Sequence, residues 1–133
     1  VFLNIMYVYA YLRSRYFPDE EIPPDETELY GFIKWLGEEV SKNAWCRWGI
    51  HVNALRFCHL TLKDQWIKQT KFGIPTIAST NEDVASVMDA CLQLQIGFQA
   101  FMDNRDYEQE TMNLSKAFSM LGWSPQASPH DGS

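Results

Sequence analysis

What this 133-residue chain lacks narrows it first. It has three cysteines, Cys46, Cys58 and Cys91, and no C-x-x-C pair. So odd and sparse a set excludes a disulfide framework and a zinc ribbon. Reduced thiols imply a setting inside the cell, cytoplasmic or nuclear, or within a viral particle. Neither G-x-x-x-x-G-K-[ST] nor G-x-G-x-x-G occurs, which removes the two standard glycine-rich phosphate cradles, and no H-E-x-x-H or H-x3-H offers a metal. The most apolar run, VFLNIMYVYAYL, ends at Arg13. It is too short to cross a bilayer and has neither the basic start nor the small-residue cleavage site of a signal peptide, so no membrane partner is expected. Val1 stands where an initiator Met would, as in a fragment or a processed product. Runs that alternate polar and apolar residues are also missing, and with them the usual sign of a strand.

What is present is globular: 46% of the residues are hydrophobic and 14% aromatic, enough to build a core without a staple. The formal charge of -6 is unevenly spread. Lys42, Arg47, Arg56, Lys63, Lys68 and Lys71 face one acid, Asp64, so that segment carries +5 and the remainder -11. Eight acids lie between Asp19 and Glu39, and eight more run from Glu82 onward.

Hydrophobic spacing predicts about five helices and an all-α domain over residues 1–123, followed by a flexible tail, 124–133. The first helix covers 1–17 on Phe2, Ile5, Met6, Tyr9 and Leu12, and FPDEEIPPDE ends it because prolines break helices. Asp25 offers an N-cap to a second helix running to about Ser41, with Leu29, Phe32, Ile33, Leu36 and Val40 as its inward stripe. The third follows from NAWCRWGIHVNALRFCHLTLKDQW, where Trp45, Trp48, Val52, Leu55, His59, Leu62 and Trp66 recur at spacings of three and four. This reading makes the tryptophans core and Gly49 a kink. Ser79 and Glu82 have the form of a capping box for a fourth helix to about Asp103, and Gly122 stops a fifth that starts near Arg105.

Metal binding and covalent catalysis both fail on geometry. On a helix His51 and Cys58 would stand about 10.5 Å apart along the axis, too far for one zinc ion, and neighbours such as Cys58 and His59 diverge by about 100°. His130 lies in the tail. The carboxylate pairs Glu20–Glu21, Glu38–Glu39 and Glu82–Asp83 read as solvated or capping groups. No catalytic residue, metal or cofactor is therefore expected, and the chain is expected not to be an enzyme.

The basic segment remains. With few acids nearby, Lys42, Arg47, Arg56, Lys63, Lys68 and Lys71 suggest phosphate contacts to RNA or another single strand, with aromatics available for stacking. The expected function is a helical binding and assembly module, a subunit of a nucleoprotein or capsid-type coat, working as a homo-oligomer or with a protein partner. An adaptor whose basic strip docks an acidic protein is the alternative, and a small helical enzyme the third.

Overall fold

The computed structural model describes residues 2–5, 20–21, 28–57, 60–71, 78–103 and 113–126. The architecture is α/β, not all-α. Strand β1 (Phe2–Ile5) precedes helix α1 (Leu29–Trp48) and strand β2 (Val52–Phe57). Short β3 (Leu60–Thr61), α2 (Lys63–Lys71) and short β4 (Ser79–Thr80) follow. The chain then forms α3 (Asn81–Leu92), β5 (Phe98–Met102) and α4 (Ser115–Leu121). Three strands make one parallel sheet in the order β1-β2-β5, with Ala54 beside Phe2 on one side and beside Ala100 on the other. β3 and β4 form a second, two-stranded parallel ladder.

The expected third helix breaks at Gly49. This residue has φ 69° and closes α1 in the left-handed region, its N–H bonded to the Trp45 carbonyl at 2.8 Å. Glycine reaches that region without a Cβ penalty. The run of threes and fours from Trp45 to Trp66 therefore crosses a helix end, a strand, a loop and a second helix. Trp66 is buried, but Trp48 is 66% exposed. Gly97, φ 65°, opens β5 where a helix was expected to continue. A Cβ there would meet the Trp45 ring at 3.1 Å.

β2 is hard to see in the sequence because both its faces are covered, which removes the polar–apolar alternation of a half-exposed strand. Its two polar residues have structural tasks. Asn53 donates from Nδ2 to the Cys91 and Leu94 carbonyls, 2.9 Å each, and so caps the end of α3. Arg56 reaches the other way, to α1. Leu55 and its register partner Phe101 meet Val87, Cys91, Ala117 and Trp123 in the core, so α3 and α4 cover one face of the sheet while α1 lies on the other.

The N-cap lies one residue later than expected, at Thr80 and not Ser79. Thr80 Oγ1 accepts from the Asp83 N–H and donates to the Asp83 carboxylate, at 3.2 and 3.0 Å. Gly122 ends α4 with φ 64°. Pro125 is buried, and the Gln126 N–H bonds Asp83 Oδ1 at 2.9 Å, so residues 124–126 pack against the start of α3. Residues 127–133, Asp25, Cys58, His59 and most of the expected first helix lie outside the described residues. Among the described residues, no helix is long and apolar enough to cross a membrane.

Candidate active site

In an open parallel sheet, ligands bind beyond the carboxyl ends of the strands. β1 and β2 are adjacent and parallel, and only three residues separate α1 from β2. α1 therefore ends at the amino edge of the sheet and starts at the carboxyl edge. Its first turns carry Tyr30 and Lys34, four residues apart and so neighbours on one side of the helix. The Lys34 ammonium stands 5.6 Å from the centre of the Tyr30 ring. Tyr30 is 62% exposed and Lys34 half-buried.

A buried ionic clip holds the middle of α1. Arg56 makes a two-pronged contact with Glu38, Nε to Oε1 at 2.8 Å and Nη2 to Oε2 at 2.7 Å. Its Nη1 donates to the Glu20 carbonyl at 2.9 Å, and Glu20 Oε1 accepts from the Met102 N–H at 2.8 Å. Arginine's planar fork suits such paired contacts, and with both charges buried the geometry must offset a large desolvation cost. The clip ties helix, strand and the end of β5 together. Tyr30 lies eight residues before Glu38, about 12 Å further along the axis, beyond the strand ends.

Asp103 follows β5 and is also buried, yet neither carboxylate oxygen meets a hydrogen-bond donor among the described residues. Burial, assisted by the negative charge of Asp83, pushes its carboxyl up to about 7. Burial likewise pushes the Cys91 thiol up to about 11, which makes it a poor nucleophile.

The six cations do not share one helix face. Lys42 is on α1, 3.5 Å from Glu39 and 5.5 Å from the Phe98 ring centre. Arg47 sits 5.5 Å over Trp48 near the amino edge. Arg56 is buried in the clip. Lys63 opens α2, 3.6 Å from Glu82, and Lys68 is exposed on that helix, whose last residue is Lys71. Among the described residues no group of three or more His, Cys, Asp or Glu is placed to hold a metal ion. The sequence reading missed Tyr30 and Lys34. Their four-residue spacing at a helix start was the available signal, but it has meaning only once that start lies at the carboxyl edge of a parallel sheet.

No protein-family model matches the sequence, and a search of curated proteins finds no match. Solved structures do match in fold. UDP-N-acetylglucosamine 4-epimerase from Bacillus cereus aligns with TM-score 0.71 and 16% identity, over 94% of this chain and 59% of its own. A mutated uronate dehydrogenase gives 0.74 and 17%, over 96% and 45%. Uronate dehydrogenase from Agrobacterium tumefaciens, with one tyrosine replaced by alanine and in complex with NAD, gives 0.61 and 16%, over 82% and 39%. The chain thus spans about half the length of the structures it resembles, and the likeness shows a Rossmann-like α/β fold. It overturns the all-α nucleoprotein or capsid module: the parallel sheet belongs to a fold used by solved enzymes, so the expectation of a non-enzyme falls with it.

Proposed function

We propose that this chain supplies the acid–base and substrate side of an NAD-dependent enzyme acting on a sugar hydroxyl or carbonyl, of the epimerase or dehydrogenase kind. The observation that carries it is the Tyr30–Lys34 pair at the carboxyl edge of the sheet. A solvent-facing phenol can give a proton to, or take one from, a sugar oxygen. The ammonium one turn away supplies positive charge where a phenolate would carry negative charge.

The residues present do not fit the whole dinucleotide. No G-x-G-x-x-G follows a strand, so these 133 residues contain no glycine cradle for a pyrophosphate. Among the described residues β1 pairs only with β2. Residues 1–123 act as one unit, since Trp123 shares the core with Leu55. The free thiols of Cys46 and Cys91 fit a place inside the cell.

The test is titration of the purified protein with UDP-N-acetylglucosamine and with a uronate, followed by NMR at Tyr30 and Lys34. One of these sugars is expected to bind saturably and to shift both residues. Tyr30→Phe should keep the fold and weaken that binding by about five- to tenfold, the loss of one hydrogen bond of about 1 kcal/mol. Absence of saturable binding of either sugar, or parental affinity in Tyr30→Phe, refutes the proposal.

A further inference from the structure

The amino edge of the sheet, opposite the edge that carries Tyr30, holds a cleft of about 280 Å³. It lies where α3 ends and where β2 and β5 begin, lined by His51, Asn53, Cys91, Leu92, Leu94 and Gln95. Apolar walls with a few placed polar groups are the mark of a small-molecule site, and this volume stands at the lower end of their range. Leu92 is 65% exposed and gives the cleft an apolar rim open to solvent.

Two polar side chains of the cleft are held in fixed orientations, each with one hydrogen-bonding function left over. Asn53 is 6% exposed, and its Nδ2 donates to the Cys91 and Leu94 carbonyls at 2.9 Å each. Carbonyls only accept, which fixes which end of the amide faces them. Its Oδ1 is then a buried acceptor without a hydrogen-bond partner among the described residues. His51 Nδ1 accepts from the Gly97 N–H at 2.9 Å, and its ring stacks on Trp45 with centres 5.3 Å apart. A neutral imidazole that accepts at Nδ1 carries its proton on Nε2, so His51 offers a donor. An acceptor and a donor two residues apart, beside two leucines, match an amide on an apolar ring: its N–H suits Asn53 and its C=O suits His51. An ester has no N–H and leaves the Asn53 oxygen unmet, which weakens binding.

We propose that this cleft binds a small neutral aromatic carboxamide, the amide between Asn53 Oδ1 and His51 Nε2 and the ring against Leu92 and Leu94. The site is independent of the activity proposed above, because Tyr30 and Lys34 stand at the other edge of the sheet, and either reading can fail alone.

The experiment is NMR titration of the purified protein with benzamide and with methyl benzoate, two probes that share a ring and a carbonyl and differ in the N–H. Benzamide is expected to saturate with a Kd of about 1 mM or below, shifting His51, Asn53 and Leu94 and leaving Tyr30 and Lys34 in place. Methyl benzoate should bind at least about fivefold more weakly, the effect of one lost hydrogen bond. That comparison uses the parent alone and so does not depend on the folding of a variant. His51→Phe changes an exposed position and keeps a ring for Trp45. It should retain the parental circular dichroism and weaken benzamide by about fivefold or more. The proposal is overturned if benzamide does not saturate, or if it shifts Tyr30 and Lys34 in place of His51 and Asn53. Equal affinity for the ester, or parental affinity in a folded His51→Phe, overturns it as well.

Discussion

On the side of α1 turned to the sheet sit Gly31, the buried Glu38 carboxylate and half-buried Trp35, Ser41 and Trp45, while the opposite side carries Leu29, Ile33, Leu36 and Val40 in the open. A helix packed on a sheet ordinarily places these two sets the other way round. The inner side can hold the Glu38 carboxylate because Arg56 rises from β2 to meet it, and two buried opposite charges satisfy each other where a lone one could not. Among the described residues, Leu29, Ile33, Leu36 and Val40 on the outer side stay exposed. Burial on the inside reports what holds the fold together, and exposed apolar area on the outside reports what the fold presents to other molecules.

Breaking the inner side should have the largest effect. Arg56→Ala leaves the Glu38 carboxylate buried without its partner, and a loss of about 3–5 kcal/mol is expected in chemical denaturation. Arg56→Met with Glu38→Leu tests whether charge or volume matters. If the clip is costly to desolvate, the pair of changes should recover most of the loss, and a double variant as unstable as Arg56→Ala would show that the ion pair itself is required.

Asp103 sharpens the comparison, as a buried carboxyl with no such partner among the described residues. Its folded value of about 7 exceeds the ordinary 3.8, so the folded chain keeps a proton that the unfolded chain has lost. Stability should therefore fall as pH rises through that window, with the loss complete above it. Asp103→Asn removes the titration. It is expected to gain up to ~4 kcal/mol at about pH 8 and nearly nothing below about pH 4. Thermal melts of parent and variant across that range check this, and parallel curves would refute it.

The smallest effect belongs to an exposed ion pair on α1. Lys42→Ala removes an exposed ion pair with Glu39, and a change within about 0.5 kcal/mol is expected in the same denaturation assay. A loss near that of Arg56→Ala would mean that buried and exposed pairs contribute alike here.

Several local features were legible in the residues alone. The α1 stripe, the helix from Asn81 and the stop at Gly122 follow from spacing and glycine. The stripe was assigned to the wrong side because periodicity states that a face is apolar and not what lies against it. The candidate site was hidden for a related reason: Tyr30 and Lys34 are ordinary residues on a helix start until a parallel sheet places that start at its carboxyl edge. Conversely, Arg56 in a basic run resembled a phosphate contact, because charge counted along the chain cannot register a Glu38 partner eighteen residues away.

By itself the sequence determined the apolar stripe of α1, the helix that follows Thr80 and the stop at Gly122, since caps, left-handed glycines and neighbouring side chains act within a few residues. Only the tertiary structure decided that VNALRF is a strand, that α1 carries its apolar face outward, and that a tyrosine and a lysine share the edge where parallel sheets bind ligands. Strand pairing, burial on both faces and long-range ion pairs join residues tens of positions apart, and no local pattern encodes which of those partners will meet.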